Sequence, residues 1–194
     1  MWLQFAFAGT VLTLLIHMCV LFMTGIDPIS TPVSELSQSR WGGLHTLGLS
    51  LFGLAHIALA MGLVGLDHGR LWPFARGLLV AAGIGLVGLA VYFYTASDAL
   101  LNSATPDAPL WVVASLTGTA MGALQPGLAR HARRVGIFST ICLGIWVWMV
   151  PVFLLVNDSW IGAYQRILGA IYIVWMAVIS LGLLRHSRGV YGSD

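Results

Sequence analysis

Polar residues along this chain are sparse, and they cut it into six long apolar runs, at about 3–25, 43–66, 72–95, 109–128, 136–156 and 162–184. Each run approaches the roughly 20 residues an α-helix needs to cross the hydrocarbon of a bilayer. Short strands of alternating apolar and polar positions are missing, which excludes a transmembrane β-barrel. The pattern therefore predicts an all-α fold: one integral membrane domain, 1–194, built as a six-transmembrane-helix bundle. The joins are short, so sequential helices pack antiparallel, and the longest joins are 26–42 and 96–108. The first run is too long and too poorly flanked by basic residues for a cleaved signal peptide.

Composition agrees with this pattern. Hydrophobic residues make up 58% of the 194, charged residues 8%, and mean hydropathy is +0.89. A soluble domain carries roughly 25% charged residues. This chain cannot cover a water-facing surface, so a soluble enzyme and a nucleic-acid binder are both excluded. Its basic residues are all Arg, with no polybasic run. Arg70, Arg76, Arg130, Arg133, Arg134, Arg185 and Arg188 fall in the even-numbered joins and the C-terminal tail, against Arg40 and Arg166 in the odd-numbered joins. Under the positive-inside rule this places both termini in the cytoplasm of a multi-pass protein of the cytoplasmic (inner) membrane. The acids Asp27, Glu35, Asp98, Asp107 and Asp158 mirror the arginines on the outer side.

Small and aromatic residues refine the picture. Trp2, Trp41, Trp72, Trp111 and Trp160 sit at expected helix ends, as an interfacial belt would require. Trp146, Trp148 and Trp175 lie deeper, at expected packing positions. Gly118-x-x-x-Gly122 and Ala58-x-x-x-Gly62 suit close helix contacts. Gly83, Gly85 and Gly88 spell a nucleotide-binding fingerprint, but no strand precedes them, so close backbone packing is the expected use. Pro151 should kink the fifth helix. Cys19 and Cys142 lie in apolar runs and act as small hydrophobes.

The first join is the richest in chemistry. Thr31 is expected to cap a short amphipathic helix starting at Pro32, with Glu35 in its first turn near the positive end of the helix dipole. This segment would lie on the outer membrane surface, as a solvated connector or as one wall of a site. Arg166 stands at the outer end of the last helix, and an arginine at that depth needs a partner or an anionic headgroup. Glu35 and Asp27 are the expected partners; otherwise its fork is free for a lipid headgroup or substrate. Asp27, Ser34, Glu35, Arg40, Tyr94, Asp98, Tyr164 and Arg166 form the candidate ligand-binding set. Asp27, Glu35 and Asp98 together could hold a cation, and Glu35 and Asp98 are the candidate acid/base catalysts. His17 and His56 would share a depth if the first two helices pair, the minimum for a bis-His haem b or, with nearby methionines, for copper. The other use of such histidines is to hydrogen-bond within the bundle. No G-x-S-x-G or H-E-x-x-H motif is present.

Two segments carry a family resemblance. Asp27-Pro28-Ile29 followed by Ser34-Glu35-Leu36 comes directly after the first span. Tyr164-Gln165-Arg166-Ile167-Leu168-Gly169, with Trp175, opens the last span, which ends Leu183-Leu184-Arg185. Together they resemble the prokaryotic polytopic membrane family "domain of unknown function 998" over almost the whole chain. Pro106-Asp107 stands where that family has an acidic proline motif, and Thr117 and Thr119 occur where it carries a histidine. The resemblance implies a six-helix layout and importance for Glu35 and Arg166. The expected function is an outward-facing polar site for membrane lipids or another ligand, in a protein that can serve as a subunit or accessory factor of a membrane complex. Two alternatives stay open: an integral-membrane enzyme acting on a lipid or isoprenoid at the outer leaflet, and a haem- or copper-binding redox protein using His17 and His56.

Overall fold

A computed structural model describes residues 1–64, 66, 69–95, 108–153 and 155–191. Among these residues the fold is all-helical, without strands. The α-helices are α1 (Trp2–Thr24), α2 (Gly42–Gly62), α3 (Trp72–Thr95), α4 (Ala108–His131), α5 (Arg133–Phe153) and α6 (Ile161–Tyr191). Short 3₁₀ segments, Val33–Gln38 and Asp158–Trp160, precede α2 and α6. All except α4 are long and apolar enough to cross a membrane, which makes the chain a multi-pass membrane protein. The expected runs and the observed helices coincide to within a few residues, with α6 extending past its run to Tyr191.

Each helix packs against its neighbours in sequence, and α6 also returns to α1. The helices thus form a closed ring. Lipid tails are as apolar as leucine, so hydrophobic burial does not drive helices together in a bilayer; close packing and hydrogen bonds do. Glycines supply the close packing. A Cβ on Gly53 would lie 2.6 Å from the Gly83 carbonyl, and one on Gly83 would lie 2.6 Å from that of Gly53, so α2 and α3 touch backbone to backbone. Gly9 faces Ala55 and Gly62 faces Leu3 across α1 and α2. Gly85 meets Val113 on α4, whereas Gly88 meets nothing. Helix α1 stops at Gly25, whose φ of 61° is the left-handed turn that ends many helices.

Several tryptophan placements depart from the sequence pattern. Trp2 and Trp160 are exposed at helix ends, as a belt requires. Trp72 is instead buried, and its indole N–H donates to the Leu63 carbonyl at 3.2 Å, tying the α2–α3 connection. Trp148 is 79% exposed rather than packed, because it falls on the outer side of α5. Trp146 lies on Gly118, where a Cβ would come within 2.5 Å of the ring. That glycine seats an indole rather than a neighbouring backbone. Helix α5 continues through Pro151 and ends two residues later.

At the end of the bundle away from residues 25–41, a polar cluster joins α4, α5 and α6. Trp175 donates to Ser139 Oγ at 2.8 Å, Gln125 Nε2 donates to the same oxygen at 2.7 Å, and Thr140 donates to Gln125 Oε1 at 3.0 Å. Such bonds between helices contribute about 0.6 kcal/mol each on average in a membrane.

Candidate functional site

The site begins with a folded loop. Asp27 accepts hydrogen bonds from the backbone N–H groups of Ile29 (3.0 Å) and Ser30 (3.3 Å) and from the Ser30 hydroxyl (2.5 Å). These bonds favour the ionised carboxylate and hold its pKa below the ordinary value, the Ser30 hydroxyl contributing most and the charge of Arg166 least. The turn lays residues 28–33 across the start of α6. There Ala163 N–H donates to the Ile29 carbonyl at 2.8 Å, and Val33 N–H donates to Gln165 Oε1 at 2.7 Å. Gly162 makes the approach possible, since a Cβ there would lie 2.2 Å from the Thr31 carbonyl oxygen.

Arg166 is the centre of this junction. Its Nη1 donates to the carbonyls of Pro28 and Thr31, both at 2.8 Å. Nε and Nη2 are buried and have no protein hydrogen-bond partner. The expected Glu35–Arg166 ion pair is therefore corrected. Glu35 is exposed, and backbone oxygens hold the guanidinium instead. The expected cap is corrected too. The segment after the loop is a 3₁₀ turn, Val33–Gln38, with Pro32 rather than Thr31 at its N-cap and no side-chain cap bond. The Thr31 carbonyl is committed to Arg166, and Pro32 stays extended (ψ 151°), so helical geometry starts one residue later than expected. Ser34 and Leu36 of the turn are buried.

Below the loop lies a cavity of about 360 Å³ that all six helices line. Its polar groups lie toward the loop end: Arg166, Gln165, His17 and His45, with Thr13 a turn deeper and bonded to the Gly9 and Gly48 carbonyls. Its far walls are Phe52, Leu86, Val113, Trp146 and the ring of Tyr172. Met18 on α1 and Ala170 on α6 line the cavity and are also exposed, so it opens sideways between these helices.

The histidines are placed differently from the sequence expectation. Thr13 faces Gly48, where its hydroxyl donates to the Gly48 carbonyl at 3.1 Å, and Gly9 faces Ala55. In that antiparallel register the residue opposite His17 is His45, and their ring centroids are 5.8 Å apart. His56 lies three turns deeper on α2, roughly 16 Å along its axis. His17 and His56 are not brought together. Both nitrogens of His56 are engaged as well: Nδ1 with the Phe52 carbonyl at 2.7 Å, and Nε2 with the Tyr172 hydroxyl. A carbonyl only accepts, so Nδ1 carries the proton, and Nε2 meets the Tyr172 hydroxyl. The Tyr172 hydroxyl also hydrogen-bonds Thr117, whose own hydroxyl reaches the Val113 carbonyl at 3.1 Å. A haem or copper ligand at His56 would have to break this chain. Among the described residues no three His, Cys, Asp or Glu side chains gather as a metal site.

The remaining candidates scatter. Tyr94 is 75% exposed on α3. Arg40 is exposed and lies over the Trp41 ring, 5.5 Å from its centroid. The Tyr164 hydroxyl donates to the Met149 carbonyl on α5. Asp27 is turned back on its own loop, and Asp98 lies outside the described residues, as do Pro106 and Asp107. Sequence reasoning missed His45, Gly162, Gln165, Gly169 and Tyr172 as site residues. Gln165 and Gly169 flank Arg166 in the segment that opens the last span, and that adjacency was the signal the sequence carried.

A helical ring with a laterally open, mostly apolar cavity and cationic or neutral polar groups at one end defines a multi-pass membrane protein with an internal cavity. Residues 7–182 match the family described as Protein of unknown function (DUF998), and the chain belongs to that family. No curated protein and no solved structure matches it.

Proposed function

We propose that this protein spans the cytoplasmic membrane six times and binds a lipid-like ligand with an anionic group in the cavity beneath its first loop. The observation that carries this reading is the guanidinium of Arg166. One of its nitrogens is fixed by two carbonyls, while Nε and Nη2 are buried without partners. A buried donor left unmatched costs about 1–3 kcal/mol, and more on a charged group. An Nε–Nη2 edge is the geometry that takes a carboxylate or phosphate through two parallel bonds, and a small shift of the side chain would turn these buried atoms into the cavity that Arg166 lines. The polar groups at the deep wall are tied to each other through His56, Tyr172 and Thr117, so the deep wall favours an apolar chain. The sideways opening gives such a ligand a route from the bilayer.

The arginine distribution supports cytoplasmic termini, which puts the loop and cavity on the outer side. It also supports α4 as the sixth span, since Arg130, Arg133 and Arg134 at its end join the basic side. A place in a larger membrane complex is compatible with this site, because the ligand could be handed to or taken from a partner.

Native mass spectrometry of the gently solubilised protein, compared with its denatured mass, tests the reading. Wild type should retain an organic anion. Arg166→Gln, shown by circular dichroism to remain helical, should lose at least about nine-tenths of it, as expected for removing a charge-assisted pair of hydrogen bonds. Equal retention by the two proteins would overturn the proposal.

A further inference from the structure

Resting on that reading, we infer that the ligand is a single-chain anionic amphiphile, and that Gly169 is the residue that admits its chain. The volume is the first argument. About 360 Å³ divided by roughly 30 Å³ for each water-sized group leaves room for about a dozen such groups. That suffices for one chain of moderate length and not for the two long chains of a phospholipid. The second argument is Gly169. It lies on α6, close to one turn beyond Arg166, lines the cavity, and a Cβ built on it meets no atom within 4 Å. Gly53, Gly83 and Gly162 are needed for backbone approach. Gly169 is not packed against anything, so the space it leaves belongs to the cavity directly below the head site. The third argument is the deep wall. Phe52, Val113 and Tyr172 close the cavity, and the Tyr172 hydroxyl faces away into its bonds with His56 and Thr117. The wall therefore limits chain length without offering a polar group to the chain's end.

In a bilayer the chain gains little by exchanging lipid tails for cavity walls, because both are apolar. Affinity thus comes from the head at Arg166, while the cavity acts as a size filter. The test is ligand-induced thermal stabilisation of the full chain in nanodiscs of a zwitterionic lipid. The probes are octyl, dodecyl and hexadecyl phosphate, dodecanoate, dodecanol and a two-chain phosphatidylglycerol. Gly169→Leu fills the cavity where nothing obstructs the new side chain and also improves helix propensity. Wild type should be stabilised by octyl phosphate, dodecyl phosphate and dodecanoate. Hexadecyl phosphate should bind at least about tenfold more weakly than dodecyl phosphate, and dodecanol and phosphatidylglycerol should not compete. Gly169→Leu should keep its melting temperature without probe and lose at least about tenfold in affinity for dodecyl phosphate.

Unchanged binding by Gly169→Leu, or equal competition by phosphatidylglycerol, overturns the single-chain inference while leaving an anion site at Arg166. Failure of every anionic probe to depend on Arg166 overturns both.

Discussion

At the scale of single residues, the interior is organised by hydroxyls and ring nitrogens that satisfy one another. Tyr172 is buried between His56 and Thr117, on three different helices. Its phenol links α2 to α4, so its removal leaves His56 Nε2 without a partner in a dry interior, while the Thr117 hydroxyl keeps only the Val113 carbonyl. Tyr172→Phe should therefore destabilise the protein by about 1–2 kcal/mol. The effect should not add to that of Thr117→Val, because both substitutions break the same link. Denaturant unfolding in a mild detergent measures both, and an additive double variant would show that the hydroxyls act separately. Arg166 teaches a related point. Its partners are backbone carbonyls, and no reading of side-chain charges could have found them. A search for acids of suitable side and depth led to Glu35, which is exposed, and to Asp27, whose charge reaches Arg166 while its oxygens bond Ile29 and Ser30.

At the scale of elements, the helices were legible and their facing surfaces were not. Runs of about twenty apolar residues bounded by Gly, Pro, Trp and Arg define spans almost by length alone, which is why Trp72–Thr95 matched its expected run. The same uniform hydrophobicity hides which face turns inward. His17 and His56 could be placed on α1 and α2 but not in register, and the offset comes from contacts such as Thr13 with Gly48. Tyr172, in a run of aliphatic residues, gave no signal of its role. The first loop behaves as an element of its own because Asp27 folds it. The Asp27 carboxyl is held below its ordinary pKa by Ser30 and Ile29. Its contribution to the turn is therefore complete above the unfolded carboxylate value, roughly pH 4, and is lost as pH falls through the lower folded value. Hydrogen exchange at the amides of Ile29 and Ser30, corrected for intrinsic rates, should show protection at neutral pH that collapses in that acid window. In Asp27→Asn protection should be weaker and flat across it. A wild-type profile as flat as the variant's would mean that the turn does not depend on the carboxylate.

At the scale of the whole molecule, ring closure and charge asymmetry make one joint statement about topology. α4 is the least apolar of the helices, carrying Thr117, Thr119 and Gln125, yet it sits between α3 and α5 and supplies Thr117 to the central hydrogen-bond chain. That place in a ring whose other members are long and apolar enough to cross supports the proposed sixth crossing. Six crossings with the arginine-rich ends inside require residues 134 and 185 on the cytoplasmic side and residue 35 outside. All three positions are exposed, so each can report. In a background with Cys19→Ala and Cys142→Ala, the variants Glu35→Cys, Arg134→Cys and Arg185→Cys can be treated with a membrane-impermeant maleimide on intact cells. Glu35→Cys should label at once, and the other two only after the membrane is permeabilised. Labelling of Arg134→Cys in intact cells, with Glu35→Cys also labelled, would mean that α4 does not cross and that the ring closes some other way. Labelling of Arg134→Cys and Arg185→Cys with Glu35→Cys protected would invert the protein. The cavity would then face the cytoplasm, and its ligand would have to come from the inner leaflet, with Arg166 reading a different population of anions.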